Sequence, residues 1–143
     1  MNYTKQEKIE IEKVRAVFGD YIRTSPCMDL VWSDKAGYLY LNLELTAGCP
    51  GELGTAPTFI RNAEMLCDRL FMEIVYDVIN SSGKGHAPYE ADEQERAEIE
   101  RRLRPCLRQL PEYARLTKQL YAAPLYLQRE QERRGPAPAA HDL

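Results

Sequence analysis

The sequence predicts an α+β fold in which one β-hairpin is followed by a largely helical region. Leucines alternate with other residues over 39–45, which is the period-two pattern of a strand with one face in the core. Apolar residues recur every three or four positions over 4–23 and 58–81, as they do in amphipathic helices. A chain of 143 residues is long enough for one hydrophobic core. We therefore expect a single domain over 1–134 and a disordered tail over 135–143.

The hairpin is predicted over about 27–46, with its turn between Asp34 and Gly37. Asp at the first position and Gly at the last are typical of a type I turn. The predicted register places the large apolar residues of both strands on one face, as the pairs Trp32–Leu39, Leu30–Leu41 and Met28–Leu43. In this register Tyr38 and Tyr40 lie on the outer face.

The helical elements are bounded by prolines, glycines and capping residues. Pro26 is expected to end the N-terminal helix, and Gly83 the long central helix over about 58–81. A further helix is predicted to open at Asp92, with Glu95 three positions later as in a capping box. The C-terminal helical region is expected to be kinked or broken at three prolines, namely Pro105, Pro111 and Pro124.

The Gly- and Pro-rich segment 46–58 lies between the hairpin and the central helix. It has neither the spacing of a dinucleotide-binding loop nor the lysine of a phosphate-binding loop. We interpret it as a long connector in which Thr55 or Thr58 caps the following helix. A loop that contacts a ligand or a partner is the alternative.

The sequence offers little material for a metal site or a catalytic centre. It has two histidines and four widely separated cysteines, with no Cys-x-x-Cys pair. We therefore predict no catalytic, cofactor-binding or metal-binding residue. An enzyme that depends on Cys49 or His86 remains an alternative, because a thiol near a helix N-terminus can be activated.

Acidic residues recur four positions apart on the central helix. Glu64 pairs in this way with Asp68, and Glu73 with Asp77. The two pairs fall on roughly opposite sides, and we interpret all four as solvated flanks of an amphipathic helix.

A second apolar stripe on the central helix indicates either a buried helix or a spare surface. Met65, Met72 and Tyr76 are spaced by seven and four residues and share one face. Together with Tyr38 and Tyr40 they form the predicted partner-binding set. A two-stranded hairpin also leaves open edges, and a second copy could complete a four-stranded sheet. The predicted function is therefore a non-catalytic protein-protein interaction module that forms a homodimer or binds a larger partner.

An alternative function follows from a local excess of positive charge. Segment 101–118 has five arginines and one lysine but a single acidic residue, whereas the whole chain has a formal net charge of −3. A small regulator or inhibitor of a nucleic-acid-handling machine could use such a patch. Acidic residues immediately precede it, so nucleic acid itself is not the expected partner.

The location expected from the sequence is the cytoplasm. No apolar run approaches the roughly 20 residues that a membrane-spanning helix needs, and the first residues carry charges where a signal peptide needs an apolar block. No membrane contact is therefore predicted.

Overall fold

A computed structural model describes residues 2–44, 52–53 and 56–122. Its α-helices are α1 (Lys5–Val17), α2 (Gly19–Thr24), α3 (Ala63–Ser82) and α4 (Glu93–Gln109). Its strands are β1 (Met28–Ser33), β2 (Gly37–Glu44), β3 (Glu52–Leu53) and β4 (Thr58–Phe59). Two 3-10 helices cover Pro88–Glu90 and Pro111–Gln119. This order confirms the predicted α+β class, with an N-terminal helix, a hairpin, a long central helix and a helical C-terminal region.

The N-terminal helix is divided at Phe18, which ends α1 and precedes α2. α1 begins with a capping box: Thr4 Oγ1 accepts from the Glu7 N–H at 3.0 Å, and Glu7 Oε1 accepts from the Thr4 N–H at 2.7 Å. The predicted helical region over 4–23 is therefore correct, but it consists of two helices and not one.

The register of the hairpin differs by one residue from the prediction. The observed pairs along β1 and β2 include Met28–Asn42, Leu30–Tyr40 and Trp32–Tyr38. Residues 34–36 form the loop, and Gly37 follows with a φ of +86°. A three-residue loop followed by a left-handed residue is a common hairpin connection, and glycine adopts that conformation without strain. Because side chains alternate between faces, this one-residue difference exchanges the inner and outer faces of β2. Met28 and Leu30 of β1 lie on the inner face, as predicted.

The segment predicted as a connector contributes strands to the sheet. β4 pairs antiparallel with β2 through Thr58 opposite Tyr40, and β3 pairs with the end of β2. α3 therefore begins at Ala63, later than predicted, and Asn62 caps it by accepting from the Met65 N–H at 2.9 Å. The prediction that Thr58 caps this helix is therefore wrong. Thr55, the other predicted cap, lies outside the described residues.

α3 is the centre of the molecule, and α1, α4 and the second 3-10 helix pack against it. Twelve of its 20 residues are buried, so it is covered on most sides. Gly83 ends it in a left-handed conformation with a φ of +70°, as predicted. None of the helices in the described ranges is long and apolar enough to cross a bilayer.

The C-terminal region confirms some of the proline predictions. α4 begins at the predicted cap Asp92, runs through Pro105 without ending there, and stops before Pro111 opens the next helix. Pro124, the tail over 135–143 and Cys49 lie outside the described residues.

Candidate interaction surface and polar clusters

The outer face of the sheet is apolar. It is formed by alternate residues of β1 and β2, Val31, Leu39, Leu41 and Leu43, which we call the leucine face. All four side chains are half-buried, and none belongs to the apolar side chains that pack against the core. The leucines that were predicted to line the core therefore lie on the side of the sheet that faces away from it.

The inner face of the sheet carries the aromatic residues instead. It is formed by Met28, Leu30, Tyr38, Tyr40 and Asn42, all of which are buried. The assignment of Tyr38 and Tyr40 to an outer face is therefore wrong. Tyrosine has enough apolar ring area to fill a core when its hydroxyl is accommodated.

The apolar stripe on α3 is also internal. Met72 and Tyr76 are 4 % and 7 % exposed, and Met65 is half-buried against the core. Of the two readings of this stripe, the structure confirms the buried one. A partner could reach Met72, Tyr76, Tyr38 or Tyr40 only if the core opened.

A polar cluster that was not predicted from the sequence lies between β2 and α3. The Arg69 guanidinium lies 4.7 Å from the centroid of the fully buried Tyr40 ring and donates to Thr58 Oγ1 at 3.2 Å. Burial raises the pKa of Tyr40 well above its ordinary value, and the charge of Glu73 raises it further. The Tyr40 phenol is therefore held in its neutral form.

The same cluster continues along α3. Glu73 is buried, and Asp77, one turn later, accepts a hydrogen bond from the Tyr21 hydroxyl on α2. Burial is the main cause that raises the pKa of Tyr21, and this hydrogen bond raises it further. The interpretation of Glu73 and Asp77 as solvated flanks is therefore wrong, whereas Glu64 is exposed and pairs with Arg115 at 2.6 Å.

β1 is an edge of the sheet within the part of the chain that the structure describes. The Leu43 N–H donates to the Cys27 carbonyl at 2.8 Å, so the odd-numbered residues of β1 exchange hydrogen bonds with β2. The backbone groups of the even-numbered residues, including Leu30, point away from the sheet. The Asp29 carboxylate accepts from the Leu30 N–H at 2.8 Å and thereby occupies that outward donor.

A second polar cluster joins the end of α3 to the start of α4. Glu95 Oε2 accepts from the Ser82 hydroxyl at 2.6 Å, while Glu95 Oε1 accepts from the Asp92 N–H at 2.9 Å and lies 2.6 Å from His86 Nδ1. The hydrogen bond from the Asp92 N–H lowers the pKa of Glu95 the most, and the one from the Ser82 hydroxyl lowers it further. The buried Glu95 side chain therefore joins the end of α3, the segment around His86 and the start of α4.

This cluster holds the only group of side chains in the described residues with the spacing of a metal site. Ligand atoms of His86, Asp92 and Glu95 lie within 4.8 Å of one another. However, the Lys84 ammonium pairs with Asp92 at 2.6 Å, and both oxygens of Glu95 already accept hydrogen bonds. The arrangement is therefore accounted for as a helix cap with its ion pair.

An open cavity of about 280 Å³ adjoins the same cluster. Its charged walls include Lys84, Glu98 and Arg102, and each of them is already engaged in an ion pair. Arg101 and Arg102 lower the pKa of Glu98 to about 2. The cavity thus presents paired charges to any ligand.

Comparisons with protein-family models, with curated proteins and with solved structures find no match to this chain.

Proposed function

We propose that this chain is a non-catalytic protein-protein interaction module that binds through the leucine face. The observation that carries the proposal is the direction of Leu39, Leu41 and Leu43, which lie opposite the buried inner face of the same strand. Contiguous apolar side chains on a sheet surface are typical of contact sites. We keep the interaction function that was predicted from the sequence, but the leucine face replaces the predicted set of methionines and tyrosines as the contact surface.

The energetic reason is that removing apolar surface from water stabilises a complex. Burial contributes about 25 cal/mol per Å² of apolar surface, so completing the burial of four aliphatic side chains favours binding. The pleated apolar face suits the apolar face of another sheet, because sheets pack face to face at about 10 Å.

The regulator of a nucleic-acid-handling machine is less well supported by the charges. Arg101 and Arg102 pair with Glu98, and Arg115 pairs with Glu64. Three of the six cations over 101–118 are therefore in ion pairs, and the two carboxylates involved offset two of the six positive charges, which weakens the attraction to phosphates.

The cytosol is the location that we propose with this function. Cys27, Cys67 and Cys106 are not joined in disulfides in the described structure. Burial raises the pKa of Cys67 to about 12, as expected for an unreactive core thiol.

The test places the same substitution on each face of the sheet. Leu41→Asp should keep a native circular dichroism spectrum and a cooperative thermal transition, because the new carboxylate remains in contact with water. The matched control Leu30→Asp should unfold the protein, because Leu30 is only 2 % exposed and an unpaired buried carboxylate is strongly destabilising. Unfolding of Leu41→Asp would show that the leucine face is internal, and the proposed function would fail.

A further inference from the structure

We infer that the partner of the leucine face is a second copy of this chain, packed face to face about a two-fold axis. This inference rests on the proposed function and adds the identity of the partner. Three observations on the described residues support it: the charge of the face, the state of the neighbouring edge and the size of the face.

The leucine face is nearly uncharged. Val31, Leu39, Leu41 and Leu43 make up its centre, and Asp29 is the charged residue at its β1 border. A face of this kind offers no charge that would select an oppositely charged partner, and it does not repel a copy of itself. An isologous contact needs a surface that is complementary to itself, and the apolar faces of two sheets can pack in this way.

The β1 edge is a poorer route to a second copy than the face. Extension of the sheet across this edge needs outward backbone donors, and the Leu30 N–H is already bonded to Asp29. A negatively charged side chain beside the edge also disfavours an identical edge. The two-fold partner is therefore expected to stack on the sheet and not to lengthen it, in contrast to the four-stranded arrangement expected from the sequence.

The size of the face limits how much surface the contact can bury. β2 has eight residues, which span ~27 Å at ~3.4 Å per residue. Three adjacent strands together are ~14 Å wide. The face therefore covers on the order of 400 Å² per partner, which is about half of the ~800 Å² that each partner buries in a standard interface. We therefore expect a weak dimer that forms only at high concentration.

Sedimentation equilibrium of the full chain over a range of concentrations tests the inference. The average mass should rise from the 16.5 kDa of one copy near 10 µM toward that of two copies as the concentration approaches ~1 mM. Leu41→Asp should remain monomeric at all concentrations. Ile9→Asp is the matched control, since Ile9 is an exposed aliphatic side chain on α1 outside the face, and it should associate like the wild type.

Each result has a distinct meaning. A monomeric wild type at ~1 mM, together with a folded Leu41→Asp, would overturn the second copy as partner but leave the proposed function standing. Undiminished association of Leu41→Asp, or loss of association in Ile9→Asp, would place the contact elsewhere and overturn the inference. An unfolded Leu41→Asp would overturn both proposals.

Discussion

The Arg69 guanidinium covers the ring of Tyr40 at 4.7 Å, so a half-buried cation on α3 contacts the most deeply buried aromatic side chain of β2. The contact combines a cation-π interaction with the hydrogen bond to Thr58.

We predict that Arg69→Gln lowers the free energy of unfolding by roughly 1–2 kcal/mol, because it removes the charge above the Tyr40 ring and weakens the bond to Thr58. Arg61→Gln is the control, since Arg61 is exposed and should change stability by less than about 0.5 kcal/mol. Urea unfolding followed by circular dichroism measures both. Equal effects of the two substitutions would show that the contact is not stabilising.

The turn of the hairpin gives a second prediction. Gly37 has a φ of +86°, and a Cβ there would lie 2.6 Å from a ring atom of Tyr3. The Tyr3 hydroxyl in turn accepts from the Tyr38 N–H at 3.1 Å and donates to the Ile60 carbonyl at 2.6 Å. Gly37→Ala should therefore cost about 2–4 kcal/mol of stability, through backbone strain and displacement of this ring.

Gly19 is the matched glycine for this experiment. It lies at the start of α2, and a Cβ there meets nothing within 4 Å. Gly19→Ala should be neutral or stabilise the protein by up to about 1 kcal/mol. The melting temperature of Gly37→Ala should fall and that of Gly19→Ala should stay the same or rise, and a stable Gly37→Ala would contradict the described packing of Tyr3.

A third prediction concerns acid stability. The pKa of Glu95 in the folded chain is lowered from 4.5, so the ionised form is favoured by folding. The stability that this carboxylate contributes is present above pH 4.5 and is lost as the pH falls through the lowered value. Glu95→Gln should be less stable than the wild type at pH 7, and this difference should shrink as the pH falls below 4.5.

Glu93→Gln is the control for the acid experiment, because Glu93 lies in the same first turn of α4 but is exposed. Its urea midpoint should follow the wild type at each pH. If Glu95→Gln keeps a constant deficit down to pH 3, ionisation of Glu95 is not the source of the stability.

The sequence patterns were sufficient for the class of each long element. The 3.6-residue period located α1 and α3, the capping box at Asp92 located the start of α4, and Gly83 marked the end of α3. These signals are local, so a single sequence contains them. The short strand β4 was missed because a two-residue strand has no period, and it exists only through its pairing with β2.

The faces of β2 were assigned wrongly for a physical reason, whereas Met28 and Leu30 of β1 were correctly assigned to the core. Alternating leucines indicate that one face is apolar, but they do not show that this face is the one covered by helices. The alternate positions hold Tyr38 and Tyr40, whose rings are also apolar enough for a core. The useful signal was Gly37, whose left-handed conformation accompanies a three-residue loop and sets the observed register.

The polar cluster between the sheet and α3 could not have been predicted from the sequence, whereas the Asp92–Glu95 capping box of the second cluster was. Arg69 reaches Tyr40, and Tyr21 reaches Asp77, across elements that are far apart in the chain. Sequence spacing reports which residues share a helix face, and it does not report what packs against that face. Glu73 and Asp77 therefore resembled ordinary solvated acids.

The most direct test of the central claim, that the leucine face lies outside the core, introduces one residue type at two neighbouring positions of β2. Tyr40→Ser and Leu41→Ser should be compared by urea unfolding at low protein concentration. Tyr40 is fully buried, so its replacement should cost about 3–5 kcal/mol, whereas Leu41→Ser on the half-buried leucine face should cost about 1–2 kcal/mol. Equal losses, or a larger loss for Leu41→Ser, would contradict the assignment of the two faces.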